Sequence, residues 1–206
     1  MTTQYSPADW PVPLPGEVLT GNLVQLETLT VAHIPELTIA GNAAEIWEFT
    51  TSRGDTSEAM QRYAHNLLND WEQGSAMPFA VRHVGSGKIV GCTRLKELDR
   101  RHRHAIGGSW YEPQAWRTGV NLEAKLLLLS YAFEVLGCVR IEFHTDTRNA
   151  RSRRSLEKVG AQFEGVLRAH QITRNGTLRD SAIYSLLRRE WPAVRAGIET
   201  RLVPRF

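Results

Sequence analysis

The sequence predicts an α/β domain built on a mixed, mostly antiparallel sheet of about seven strands flanked by helices. Three observations predict this class. The chain has 206 residues, of which 42% are hydrophobic and 23% charged, so it can bury one substantial core. Short segments alternate apolar and polar residues, whereas longer segments repeat apolar residues every three or four positions. These segments follow one another in the order β-α-α-β-β-β-α-β-α-β-β, which indicates one interleaved α/β unit.

The N-terminal part leads into the first strand. Residues 1–16 hold four prolines and are expected to form an extended lead-in, with 17–206 as a single domain. Alternation over 22–30 predicts a strand. Residues 31–42 then predict a short helix that is started or interrupted by Pro35.

A capped helix and three strands form the middle of the chain. The apolar period over 56–74 predicts a helix that Thr56 or Ser57 caps and Gly74 ends. The next three segments predict an antiparallel meander, with strands at 78–84, 88–98 and 104–112.

The second half alternates strands and helices. Residues 119–137 predict the longest helix, and strand 139–146 follows it. Asn149 caps another helix that stops at Gly160. The last elements are two strands at 161–173 and 178–188, a tight turn at Asn175-Gly176 between them, and a C-terminal helix from about Trp191.

Composition limits the functional classes. A net charge of +3 is too small for binding to polyanions through overall charge. Cys92 and Cys138 lie far apart without metal-ligand spacing, which favours free thiols in a reducing compartment and no metal. The first residues lack the pattern of a secretion signal, and charged residues within 119–137 exclude a membrane span. We therefore expect a cytoplasmic protein.

Two strand-loop-helix units are candidate anion sites. In the first, Arg117 and Thr118 precede the start of a helix, where free backbone N–H groups attract anions. In the second, Asn149 caps the helix and Ser152 lies in its first turn. Each feature alone is also common in helices that bind nothing. Together, on adjacent units, they favour a ligand between two splayed strands.

The segment 149–160 carries three arginines, at positions 151, 153 and 154. It fits a nucleic-acid surface, a solvated helix face, or the floor of a phosphate pocket. A helix turns about 100° per residue, so the three cannot all point the same way.

The run from Ile106 to Arg168 resembles the core of the GNAT-fold N-acetyltransferases. The most specific part is N-x-R-S-x-x-x-L-E-K-x-G-A over 149–161, followed by EGVLR. The branch it resembles includes the ribosomal-protein N-terminal acetyltransferases of the RimJ/RimL type, and a weaker resemblance extends from Leu19 to Trp191. It implies a sheet whose fourth and fifth strands (104–112 and 139–146) splay apart to admit acetyl-CoA.

The resemblance also implies which residues bind the cofactor. The family's pyrophosphate loop, Q/R-x-x-G-x-G/A, corresponds to 116–121, where Asn121 stands in place of a minimal side chain. That change either holds the backbone further from the phosphates or lets Asn121 bond to them. The predicted contacts are Trp110, Tyr111, Trp116, Arg117, Thr118, Gly119, Val120, Asn121, Asn149, Ser152 and Arg154, of which Arg154 would reach a phosphate.

Catalytic roles follow from the same resemblance. Many members place a tyrosine acid where this chain has Leu156, so Ser152 is the candidate acid, as in the RimL-like branch. Glu97 is the first candidate base and His104 the second, although charged residues at strand ends are often merely solvated. A bulge at Gly107-Gly108 is expected to free an N–H near Trp110 for the thioester oxygen.

The expected activity is direct transfer of acetyl from acetyl-CoA to a primary amine. The acceptor is a protein N-terminus or an amine-bearing small molecule, and members of the related branch often form homodimers. Two alternatives stay open: a CoA-binding sensor without catalysis, and a basic RNA- or ribosome-binding module. The aromatic residues do not interleave with the arginines, which argues against nucleic acid.

Overall fold

The computed structural model describes residues 17–203, so the predicted lead-in at 1–16 lies outside the described residues. One sheet of eight strands runs through them in the order β1-β2-β3-β4-β5-β6-β8-β7. The strands are β1 Val18–Thr20, β2 Val24–Thr28, β3 Ala76–His83, β4 Ile89–Asp99, β5 His104–Tyr111, β6 Arg140–Asp146, β7 Gln162–Ile172 and β8 Leu178–Leu187. Every neighbouring pair is antiparallel except β5 and β6, which are parallel.

Helices cover both faces of the sheet. They are α1 Ile34–Ala40, α2 Ala44–Trp47, α3 Ser57–Glu72, α4 Val120–Ser130, α5 Ala150–Val159 and α6 Trp191–Leu202. Short 3₁₀ turns occur at Val31–His33 and Pro113–Ala115, and a π-helical turn, Tyr131–Val135, continues α4. No helix of residues 17–203 is both long enough and apolar enough to cross a bilayer.

The predicted fold class is confirmed, with two differences. The sheet has eight strands because the three-residue β1, too short to show alternation, pairs with β2. The predicted fourth and fifth strands are therefore β5 and β6. The predicted helix 119–137 divides into α4 and a π turn, in which the Leu136 N–H donates to the Tyr131 carbonyl at 3.0 Å.

Two apolar clusters lie on opposite faces of the sheet. The first packs α4, α5 and α6 against one face, where Tyr111, Ile141 and Phe143 are buried. The second packs α1, α2 and α3 against the other face, around Trp47 and Trp110. Because strand side chains alternate, Glu142 and His144 of β6 point to the face that α1–α3 cover. We call this the helix-α3 face.

Strands β5 and β6 separate partway along their length. They pair from His104↔Arg140 to Gly107↔Phe143 and no further, although both strands continue. A Cβ at Gly107 would lie 2.5 Å from the Phe143 ring, so glycine lets that ring pack where the strands part. This is the splay expected between the fourth and fifth strands.

The expected bulge at Gly107-Gly108 is wrong. The register of β5 against β4 runs without a shift from Ile106 to Tyr111, and the irregularity lies further along, between Lys96 and Asp99. The gap therefore opens because β6 departs from β5, while β5 stays paired with β4.

Candidate active site

The backbone of β5 shows which groups face the gap. The N–H of Glu112 donates to the carbonyl of Val90 at 2.9 Å, which makes these two residues a hydrogen-bonded pair. In an antiparallel ladder such pairs alternate, so Trp110 is also bonded to β4, whereas Ser109 and Tyr111 point their N–H and C=O groups toward β6. The N–H of Trp110 itself is therefore bonded to β4, and the free N–H groups near Trp110 are those of Ser109 and Tyr111.

The side chain of Trp110 is buried in the apolar cluster on the helix-α3 face. Its ring packs against Trp47 and Tyr63, with centroids 5.2 and 6.4 Å away, and its Nε1–H donates to the Tyr63 hydroxyl at 3.1 Å. The side chain of Trp110 was predicted to contact the cofactor. It belongs instead to the apolar cluster on the helix-α3 face.

The loop before α4 contains two residues with left-handed backbone conformation. Arg117 and Gly119 both adopt positive φ, at 66° and 96°, and a Cβ at Gly119 would approach Leu23 to 3.0 Å. The Thr118 hydroxyl donates to the Ala115 carbonyl at 2.7 Å, so that side chain shapes the loop. The backbone N–H groups of the first turn of α4 lack intrahelical acceptors and form the positive end of the helix dipole.

The start of α5 is capped as predicted. The Asn149 side chain accepts a hydrogen bond from the Ser152 backbone N–H at 3.0 Å. Ser152 is half-buried in the first turn, and its hydroxyl is separate from this cap. Leu156, at the position of the tyrosine in many relatives, is buried in the first apolar cluster and offers no acid.

The two helix starts lie next to each other. The Asn121 amide of α4 donates to the Ser155 hydroxyl of α5 at 2.8 Å and also accepts from the Lys125 ammonium. Across the same junction, the Arg151 guanidinium stacks on the Trp116 ring at 3.5 Å. Both ends of the Asn121 side chain are thus bonded within the protein, which favours a role in joining α4 to α5.

The three arginines of α5 have different surroundings. Arg153 donates to the Tyr184 hydroxyl at 3.1 Å and to the Thr147 carbonyl at 3.4 Å, so it is part of the scaffold. Arg151 is exposed but stacks on Trp116 of the loop before α4, and the partial loss of water there lowers its pKa. Arg154 is exposed. The arginines thus form neither a continuous stripe nor a single face.

On the helix-α3 face, a row of residues crosses the sheet where the gap begins. Arg94 of β4 pairs with Gly108 of β5, and Gly108 is level with His144, one position beyond the last β5–β6 pair. The Nε2 of His144 bonds to a Glu142 carboxylate oxygen at 2.8 Å, and the His170 ring lies 5.7 Å from the His144 ring. Glycine at 108 leaves the space between Arg94 and His144 open.

The carboxylate beside His144 is ionised. Burial alone would raise the pKa of Glu142, but hydrogen bonds from His144 and Arg140 outweigh it and hold that pKa below its usual value. A carboxylate that accepts Nε2–H leaves the Nδ1 lone pair of a neutral imidazole available to take a proton. Sequence reasoning missed His144. Alternation over 139–146 would have placed residues 142 and 144 together, but only the β5–β6 register shows that they flank the gap.

The two predicted bases lie toward the closed end of the strand pair. His104 begins β5, about 13 Å along the strand from Gly108, and its buried Nδ1 has no hydrogen-bond partner among the described residues. Glu97 is in the β4 irregularity, with 62% of its side chain exposed and an ion pair to Lys96 at 2.5 Å. Within residues 17–203, no group of three or more histidine, cysteine or acidic residues is arranged to hold a metal ion.

Comparison with known proteins agrees with this geometry. Residues 24–162 match the family profile of the acetyltransferase (GNAT) domain. The uncharacterized N-acetyltransferase YoaA of Bacillus subtilis is 31% identical over 118 residues, which cover 57% of this chain and 66% of YoaA. A second B. subtilis protein, provisionally named ribosomal N-acetyltransferase YdaF, is 30% identical over 63% of this chain and 71% of its own length. The structure of Mycobacterium smegmatis RimJ in complex with CoA-disulfide shares the fold, with a TM-score of 0.76 and 21% identity over 89% of this chain and 91% of RimJ.

Proposed function

The chain belongs to the GNAT acetyltransferase family, and we propose that it transfers the acetyl group of acetyl-CoA to the α-amino group of a small molecule or a protein N-terminus. The observation that carries this proposal is the gap between β5 and β6, which opens after Gly107 and Phe143 and is bordered by the starts of α4 and α5. A gap with free backbone amides at its edge and two helix dipoles at its end suits an extended ligand that ends in phosphates.

The residues present fit acetyl-CoA, which supplies an acetyl group activated as a thioester. The backbone groups of Ser109 and Tyr111 would hold the part of the ligand that enters the gap. The loop 116–121 and the first turn of α5 would hold its phosphates, with Arg151 and the predicted Arg154 as the cationic side chains nearby. The CoA-disulfide bound to M. smegmatis RimJ supports this assignment, since the two chains share the fold.

We assign the general base to His144. An amine attacks only as the free base, and an α-amino group with a pKa of about 8 is largely protonated at pH 7. The proton would pass to Nδ1 of His144 while Nε2–H stays bonded to Glu142, which would stabilise the resulting imidazolium. The location of His144 beside the open gap favours it over Glu97 and His104.

Ser152 stays the proposed acid. Its hydroxyl in the first turn of α5 would supply the proton that the departing thiolate takes up. Because the cap bond of Asn149 uses the Ser152 backbone N–H, the hydroxyl can act without disturbing the helix start.

One experiment tests the proposed function. Calorimetry should show acetyl-CoA binding to the purified chain, and thiol release with a panel of primary amines should show turnover. Lack of acetyl-CoA binding would overturn the proposal and favour the RNA-binding alternative. Binding without turnover on any amine would overturn catalysis and favour a CoA sensor.

A further inference from the structure

Arg94 places a positive charge beside the site of amine attack. It projects from β4 onto the helix-α3 face, where its Nη1 donates to the Tyr63 hydroxyl at 2.5 Å. The guanidinium extends over Gly108, since a Cβ built there would lie 3.7 Å from both Cζ and Nε of Arg94. Arg94 is half-buried, on the opposite side of Gly108 from His144.

Within residues 17–203, Arg94 has no ion-pair partner. Asp70 acts on it electrostatically without forming an ion pair, and its one hydrogen bond there is to a neutral phenol. Other half-buried arginines do have carboxylate partners: Arg82 pairs with Glu27 and Glu36, Arg140 with Glu142 and Glu164, and Arg174 with Asp55. Arg153, also half-buried, instead donates to the Tyr184 hydroxyl and the Thr147 carbonyl. A guanidinium removed from water without a counter-charge is costly, so an anion that completes its pairing would bind there favourably.

A polar cavity adjoins the same tyrosine. It has a volume of about 360 Å³ and is lined by Thr51, Ser52, Arg53, Ala59, Arg62, Tyr63 and Asn66. Arg53 shares the Asp55 carboxylate with Arg174, whereas Arg62 is exposed and has no ion-pair partner in the described part of the chain. Hydroxyl, amide and cationic groups therefore lie beside Tyr63, whose hydroxyl binds Arg94.

We propose that the acceptor is a primary amine that carries a carboxylate, and that Arg94 binds this carboxylate while the amine lies beside His144. This inference rests on the proposed function and names its substrate class. Neighbouring strands are about 4.8 Å apart, so Arg94 and His144 project from backbones about 10 Å apart. A small amine with a carboxylate a few bonds away can reach both side chains. Free amino acids and peptides that begin with an acidic residue both have this chemistry.

The contribution of the carboxylate is measured with pairs of acceptors that differ only in that group. Acetyl transfer is measured as thiol release with free amino acids against their carboxamides, and with peptides that begin with aspartate against the same peptides beginning with asparagine. We expect at least one pair to show a kcat/KM about tenfold or more higher for the acid, mainly through KM, because a charged pair is lost with the neutral partner. The pair that shows the preference distinguishes a free α-carboxylate from a side-chain carboxylate.

Variants assign that preference to Arg94. Arg94→Gln should reduce the acid-to-amide ratio to near one while acetyl-CoA affinity and thermal stability stay close to those of the parent, and Arg94→Lys should keep part of the ratio. Arg189→Gln, an exposed arginine in the turn after β8, should change nothing.

The outcomes separate the two proposals. Equal use of acids and amides by the parent chain, or a ratio that Arg94→Gln leaves intact, would overturn the carboxylate site alone. Absence of transfer to every amine would overturn the proposed function and this inference with it.

Discussion

The guanidinium carbon of Arg151 lies 3.5 Å from the centre of the Trp116 ring. This contact joins the first turn of α5 to the loop before α4, which are the two proposed phosphate-binding segments. The Trp116 Nε1–H also donates to the Tyr111 carbonyl at 2.9 Å, which ties the loop back to β5. Trp116 therefore links the loop before α4 both to α5 and to β5.

We predict that Arg151→Gln weakens acetyl-CoA binding about tenfold to a hundredfold, the range expected for one hydrogen bond to a charged group. Both arginines are exposed, but Arg151 stacks on Trp116 of the loop before α4. Calorimetric Kd values for Arg151→Gln and Arg154→Gln make the matched comparison. A larger loss for Arg154→Gln would show that the sequence-based choice of Arg154 is right.

Elements with a local cause were predictable from the sequence. The cap at Asn149, the stop at Gly160 and the hairpin turn at Asn175-Gly176 each depend on residues within one turn, and the structure contains all three features. The splay between β5 and β6 was expected from the resemblance to a family. The three-residue β1 escaped prediction because its stability comes from pairing with β2.

The candidate base was beyond sequence reasoning because it depends on register. Glu142 and His144 are polar residues on a strand, a pattern that normally indicates a solvated face. Their significance comes from the parallel pairing that ends at Gly107↔Phe143 and leaves His144 beside the opening. The residues around a position do not indicate which distant strand residue will lie beside it. For the same reason, the position of Arg94 next to Gly108 could not be predicted from the sequence.

We predict that His144→Asn lowers kcat/KM about 100-fold at pH 7, the usual contribution of a general base. The rate of the variant should recover as the pH rises past about 8, where an α-amino group deprotonates without help. Stopped-time assays of thiol release from pH 6 to 10 measure both effects. Glu97→Gln and His104→Asn serve as matched variants, and a greater loss in either one would move the base to that residue.

We predict that Ser152→Ala slows turnover about 100-fold while the Kd for acetyl-CoA changes less than about threefold. The cap of α5 should survive because its donor is the backbone N–H of residue 152. Asn149→Ala is the control for helix damage and should cost about 1 kcal/mol of stability. Unchanged kcat in Ser152→Ala would exclude the hydroxyl as the acid.

Gly107→Ala should disturb the fork where β5 and β6 part. Its Cβ would lie 2.5 Å from the Phe143 ring, and displacement of that ring from a packed core costs about 1–3 kcal/mol. Urea unfolding measures the loss, and the double variant Gly107→Ala with Phe143→Leu should regain part of it. A neutral effect of Gly107→Ala would show that the ring is not held against β5 as the structure indicates.

Lys125 of α4 is a buried lysine, 7% exposed, and burial lowers its pKa to about 8. Its described partner is the neutral Asn121 side chain, so no carboxylate offsets the cost of removing the charge from water. Between pH 8 and the ordinary value of 10.5, the unfolded chain binds this proton and the folded chain does not. Stability due to Lys125 therefore rises with pH across that window, and the full cost is present below it.

Lys125→Met should remove this cost and raise the free energy of unfolding at pH 7. The pKa difference sets an upper limit on the order of 3 kcal/mol, from which loss of the Asn121 bond subtracts. The gain should shrink as the pH rises from 8 to 10, because the parent then sheds the proton itself. Urea unfolding of parent and variant at each pH measures the difference in their free energies of unfolding, in which the contributions of other titrating groups cancel. Lys158→Met, a change at an exposed lysine, serves as the control. A pH-independent difference would mean that Lys125 stays charged in the folded protein at a pKa close to its ordinary one.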